Sequence, residues 1–243
     1  MSDESQWGWP EQLQGLLPHL DELRRRLIVA AGALLVGTLL AFIVTGQVIA
    51  ILAQPVGGLE GLQAIELTEN LGVYMRTALT LGAVLAMPVF VYEIVAFIVP
   101  GLMPNERRLL FIALPFIVLL FVAGAAFAYF VMLPVTIPFL ADFGGIPTTP
   151  RPKDYIGFIT RVVFWMGVAF ETPIIIAVLA RIGIVTPTQL RKGWRLAVVV
   201  IAVVAALITP TIDPFTMLIV MAPLLGLYLL SIVLAKWVYR ERR

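Results

Sequence analysis

The chain has no cysteine and one histidine, His19, in 243 residues. Disulfides, thiolate metal centres and cysteine nucleophiles are therefore excluded, and a histidine-built metal site or catalytic dyad is not expected from one copy. Charge is scarce too, with Asp, Glu, Lys and Arg making up 13% of the residues. A phosphate-cradling nucleotide loop is missing, so no cofactor is expected and any work the protein does draws on another energy source. The first eleven residues carry Asp3, Glu4 and Glu11 but no base, unlike the basic start of a cleavable leader, so the first apolar span is expected to be retained. What remains is apolar: 60% of residues are hydrophobic and the mean hydropathy is +0.99. Such a composition belongs to an integral membrane protein.

A helix rises about 1.5 Å per residue and the hydrocarbon core is about 30 Å thick, so spans are sought as apolar runs of roughly 20 residues. Six are expected, over 27–45, 74–99, 109–133, 156–180, 196–209 and 215–234, in one all-α domain covering 1–243. The fifth is short, and either its preceding Gly193-Trp194-Arg195 enters the interface or the bilayer thins around it. Of the 17 Lys and Arg, all but Arg76, Arg151, Lys153 and Arg161 fall on one side when the N-terminus is set inside. The positive-inside rule then predicts both termini in the cytoplasm. It also rejects a nucleic-acid partner, since the bases sit at span ends rather than in one stripe. The loop over 46–73 carries Glu60, Glu66 and Glu69 without a base, and the proline-rich loop over 142–154 reads as an irregular external cap.

Within the spans Pro88, Pro115, Pro173 and Pro223 are expected to kink their helices, and Gly32-Ala33 and Gly124-Ala125-Ala126 fit close helix contact. Ionised groups at bilayer depth are costly unless paired, hydrated or protonated, so Glu93, Glu171, Asp213 and Arg161 are candidates for function. Asp213 has a competing structural reading as the cap of the following helix. Glu93 lies about two turns from the cytoplasmic end of its span. Glu171, the deepest and two residues before Pro173, is expected to face a groove rather than lipid.

Two clusters stand at the cytoplasmic ends of spans. In Pro18-His19-Leu20-Asp21-Glu22-Leu23-Arg24-Arg25-Arg26-Leu27, Pro18 suits a first helical turn, Asp21 and Glu22 complement its dipole, and Glu22 is spaced to pair with Arg25 or Arg26. The second is Asn105-Glu106-Arg107-Arg108. One such cluster alone is adequately explained as a topology anchor with local ion pairs.

Together with further motifs in order, the clusters resemble the TatC family, the large polytopic subunit of the twin-arginine protein translocase. The other carriers are Ala96-Phe97-Ile98-Val99-Pro100-Gly101-Leu102, Ala126-Phe127-Ala128-Tyr129-Phe130 before Pro134, Phe170-Glu171-Thr172-Pro173, and Thr209-Pro210 ahead of Asp213-Pro214. The resemblance implies a concave, cup-like bundle and recognition of signal peptides carrying two consecutive arginines on folded precursor proteins. By the same resemblance Glu22 and Glu106 accept the arginine pair, Arg24, Arg26, Phe97 and Leu102 line that area, and Thr209, Asp213 and Met217 belong to the docking region for single-span TatA/TatB-type subunits. Self-association in a larger complex, contact with membrane lipids, a bacterial cytoplasmic-membrane location and use of the proton gradient follow from it too. Two positions depart from the family pattern: Met217 stands where a glutamine is common, and Leu229, after Tyr228, where a glutamate is common.

A proton-coupled small-solute carrier is the main alternative, with Glu93, Glu171 and Asp213 as its buried acids. It predicts broken helices in two related halves, and no such internal symmetry is visible. An intramembrane hydrolase needs a nucleophile and base at bilayer depth, and no such pair is evident, so the protein is not expected to be an enzyme.

Overall fold

The computed structural model describes residues 17–98, 104–141, 145, 149–209 and 213–239; for 17–19, 95, 98 and 104–114 the backbone alone is described. Among these, every regular element is a helix. α1 (Leu17–Ala41) carries the first cluster and is followed by α2 (Thr45–Ala53). The stretches Leu20–Ala41 and Thr45–Val56 are bent by 73°. The turn between them tightens to Ile43 and Val44 amides donating to Leu40 and Ala41 carbonyls at 3.2 and 3.1 Å, while the Thr45 hydroxyl donates to the Ala41 carbonyl at 2.7 Å. That hydroxyl competes for the helical ladder and lets the chain change direction. The loop expected over 46–73 thus opens with a second helix.

α3 (Glu69–Ile98) continues unbroken through Pro88, and α4 (Pro104–Phe127) through Pro115. A five-residue π turn, Ala128–Met132, joins α4 to α5 (Leu133–Ala141). Pro134 accounts for the wider turn, because its ring cannot sit against the carbonyl four residues earlier and it brings no amide to the ladder. α6 (Pro152–Phe170) breaks at Glu171 and resumes as α7 (Thr172–Arg181), Pro173 lying in the first turn of α7. Of the expected kinks, this is where the helix is interrupted. Gly183, at φ 80°, ends α7 in the left-handed conformation that favours glycine, with the Ile184 amide donating back to the Leu179 carbonyl at 3.0 Å. α8 (Pro187–Lys192) begins on a capping box from Thr186 and Gln189. The short α9 (Trp194–Ile208) and the long α10 (Pro214–Val238), continuous through Pro223, complete the chain.

Among the described residues, four segments are long and apolar enough to cross a membrane, a fifth if α1 and α2 count as one bent span, and α9 is a shorter apolar helix. At 15 residues α9 reaches about 22 Å. Apolar side chains cover both the interior and the outside: Ile159, Met166, Ile208 and Val220 are buried, while Leu35, Leu39 and Leu207 are more than 60% exposed. An outside this apolar belongs in lipid.

Two seams bring backbones together. A methyl group at Gly37 on α1 would stand 2.5 Å from the Gly82 carbonyl oxygen on α3, and one at Gly82 would stand 2.5 Å from the Thr38 backbone nitrogen. Across α4 and α6, a methyl at Gly124 would meet the Met166 carbonyl oxygen at 2.7 Å. The close contact expected at Gly124 is present. Gly32 has nothing within 4 Å of its missing methyl, so Gly37, one and a half turns on, takes the role expected of it.

Candidate functional site

At one end of the bundle, α1 and the last turns of α3 are tied by a single guanidinium. Arg26 donates from Nε to Glu22 Oε1 at 3.1 Å and also from Nη2 to the same oxygen, forming an ion pair four residues apart on α1. Its Nη1 donates to Glu93 Oε2 at 2.8 Å, and Nη2 reaches the Ala96 carbonyl at 3.0 Å. All three side chains are part-buried: 34% of Glu22 is exposed, 21% of Arg26 and 16% of Glu93. A planar fork between two carboxylates is the geometry in which arginine outperforms lysine. Glu22 is thus already an arginine-binding carboxylate in this structure, and its partner comes from its own helix.

Of the two spacings open to Glu22, the one to Arg26 is used; Arg24 and Arg25 are exposed. Phe97 is half-buried at the end of α3, one residue beyond the carbonyl that Arg26 holds. Glu106 lies in the first turn of α4, separated from α3 by 99–103 alone. Leu102 lies outside the described residues. Glu93 was legible as a buried acid, but its bond to Arg26 spans 67 positions and no local pattern announces it.

Glu171 departs from expectation. It sits at the break between α6 and α7 and is 1% exposed, so it faces the interior of the bundle rather than a groove. The Ile174 and Ile175 amides both donate to its backbone carbonyl, at 3.1 and 3.0 Å, while neither carboxyl oxygen has a hydrogen-bond partner among the described residues. The broad apolar cavity nearby, about 530 Å³, is lined by Trp165, Thr172, Leu196, Val200 and Tyr228 instead.

Where α9 meets α10, Thr209 is 6% exposed and its hydroxyl donates to the Ala205 carbonyl at 2.9 Å. Asp213 caps α10, accepting the Thr216 amide at 2.6 Å, so the structural reading of this acid holds. Met217 packs against the core, and Leu229 is 63% exposed. Replacing Asp213 with alanine is expected to cost about 1 kcal/mol of stability, read as a lower denaturant midpoint in detergent. An unchanged midpoint would show that the cap contributes nothing.

Sequence reasoning missed a second buried polar cluster. Glu69, at the start of α3, has no exposed side-chain surface. It accepts from the Lys153 amide at 3.0 Å, the Ile65 amide at 3.3 Å and Arg151 Nη2 at 3.2 Å, and Arg151 also reaches Glu66 at 3.3 Å. The bond to Glu69 raises the Arg151 guanidinium above its ordinary pKa. Arg151 is the residue before α6 and offers that helix no side-chain cap, so Glu69 serves as a cap supplied from another helix. Its only signal was an acid near the start of a span, which topology alone had explained.

The fold and its charge placement define a multi-pass helical membrane protein with an arginine-binding carboxylate at one end. The family model for the Sec-independent protein translocase protein (TatC) matches residues 18–223, and the chain belongs to that family. It is therefore a translocase component. TatC of Deinococcus radiodurans is 41% identical over 91% of this chain and 85% of that protein. TatC of Aquifex aeolicus is 36% identical over 94% and 97%. A crystal structure described as the twin-arginine translocase receptor TatC superposes with a TM-score of 0.78 at 37% identity, covering 91% of this chain and all of that one.

Proposed function

We propose that this protein is the signal-receptor and core subunit of the twin-arginine translocase in a bacterial cytoplasmic membrane. It binds the twin-arginine signal peptides of folded precursors at the cytoplasmic face and, with single-span TatA/TatB-type subunits, exports them using the proton motive force. The observation that carries this reading is the Glu22 carboxylate in fork contact with a guanidinium, at the end of the bundle where the first turn of α4 brings Glu106. A ligand arginine engages Glu22 by exchange with Arg26, and Glu93 retains the displaced side chain, so the exchange strands no charge. Glu106 takes the second arginine. Arg24 and Arg26 keep the local field positive, Phe97 and Leu102 flank the bound segment, and the turn from Thr209 to Met217 serves the partner subunits. Glu171, buried at a helix break, becomes reachable when the peptide's apolar stretch parts the helices around it.

The test is direct binding of a twin-arginine peptide to the purified protein. Glu22→Ala and Glu106→Ala are each expected to weaken it about tenfold or more, and so is a twin-lysine peptide, since tenfold corresponds to about 1.4 kcal/mol and one charge-assisted hydrogen bond is worth about 1.5 to 3. Undiminished binding in all three arms would overturn the assignment.

A further inference from the structure

The four bases that stand apart in the positive-inside count converge in space. Arg76 on α3, Arg151 before α6, and Lys153 and Arg161 on α6 all line one cavity of about 570 Å³ at the Glu69 end of the bundle. Arg151 is committed to Glu66 and Glu69. Among the described residues, Arg76, Lys153 and Arg161 form no ion pair, and the single acid lining this cavity is Asp154, in the first turn of α6. Glu66 and Glu69 line the adjoining cavity, which also touches Arg76 and Lys153.

Two of the uncommitted bases lie past the start of apolar runs. Arg76 is two residues into the run over 74–99 and Arg161 five into that over 156–180, or about 3 and 8 Å along their helices. A cation at such depth requires an anion or water beside it. Arg76 reaches α6 at a glycine: a methyl group at Gly157, one turn before Arg161, would stand 3.2 Å from Arg76 Nη1. The cavity wall also holds Tyr155, which is 7% exposed and whose hydroxyl has no hydrogen-bond partner among the described residues. Unpaired guanidiniums around one cavity match an oxyanion with several acceptor oxygens. The adjoining helix surfaces are apolar and open, with Met75, Leu79 and Trp165 each 45% exposed or more.

We propose that this cavity binds a phosphate group, with Arg76 and Arg161 donating to its oxygens and Lys153 adding charge. The depth of the arginines and the apolar surfaces beside them favour the phosphodiester of an anionic phospholipid, its acyl chains lying along α3 and α6. This site is independent of signal-peptide recognition and stands at the opposite end of the bundle from Glu22.

Thermal unfolding of the delipidated protein in a neutral detergent tests it. Short-chain phosphatidylglycerol is expected to raise the midpoint by several degrees, short-chain phosphatidylcholine much less, and inorganic phosphate at matched concentration less still. Protection by inorganic phosphate equal to that by phosphatidylglycerol would keep the site and assign it to a free anion. Arg161→Gln and, separately, Arg76→Gln are expected to remove most of the protection while leaving twin-arginine peptide binding at the other end intact. Arg76 and Arg161 are both exposed, so both glutamine variants are expected to fold, and Arg161→Lys should restore part of the effect. No protection of the parent by either phosphate compound, or undiminished protection in Arg161→Gln, would overturn the proposal.

Discussion

Glu69→Ala is expected to lower the thermal midpoint of the detergent-solubilised protein by about 5 to 10 °C, the scale on which a chain of this length responds to loss of a buried polar anchor. The carboxylate removed has no exposed side-chain surface and accepts the Lys153 and Ile65 amides and the Arg151 guanidinium. Alanine leaves the first turn of α6 without its cap, returns Arg151 to Glu66 alone and unties the segment before α3 from the start of α6. Each effect acts through a different donor, which is why the sum exceeds that of an ordinary surface ion pair. Glu69→Gln keeps an acceptor oxygen without the charge and should fall between alanine and the parent. A midpoint within about a degree of the parent for Glu69→Ala would remove the clasp from any account of stability.

Gly82→Ala is expected to destabilise by about 2 kcal/mol or more, because the added methyl meets the Thr38 backbone as well as its hydroxyl, and α1 must move away from α3. Moving α1 stretches the Arg26 bonds to Glu93 and Ala96, which are the bonds that join the two helices at the Glu22 end. Loss of stability should therefore be accompanied by weaker peptide binding. Gly32→Ala is the matched control on the same helix: nothing lies within 4 Å of its methyl, and alanine is favoured over glycine inside a helix by about 0.5 to 1 kcal/mol. Opposite signs for the two substitutions in a denaturant titration are the expected result, and equal stabilities would dissolve the seam as an energetic feature.

The features legible in the chain were the local ones. Apolar run length located the four helices long and apolar enough to cross a membrane, helical spacing paired Glu22 with a nearby arginine, and Asp213 before Pro214 read correctly as a possible cap. The ends of the elements were less legible, because α1, α3, α4 and α6 each begin several residues before the apolar run does, in turns where polar side chains are compatible with helix. The bend at Phe42 to Val44 escaped notice since apolar residues continue across it and hydropathy does not distinguish a straight span from a folded one. Long-range pairing was out of reach in principle: Glu93 finds Arg26 across 67 positions and Glu69 finds the Lys153 amide across 84. Glu171 illustrates the same limit from the other side. Its depth was plain from the sequence, but which face of a broken helix points inward depends on how α6 and α7 pack.

The two glycine seams divide the bundle mechanically. Sliding α1 on α3, or α4 on α6, drives backbone against backbone, so each pair moves as one body. At the Arg26 end the contact between the bodies is of another kind, a patch of Val91, Ile117 and Val178 with Tyr92, Ile174 and Ile175 around it, where side chains change rotamer and yield, while at the opposite end Glu69 ties α3 to α6. The bodies are therefore hinged, held at Glu69 and free to part between α3 and α4 at the end where Arg26 holds Glu22 and Glu93.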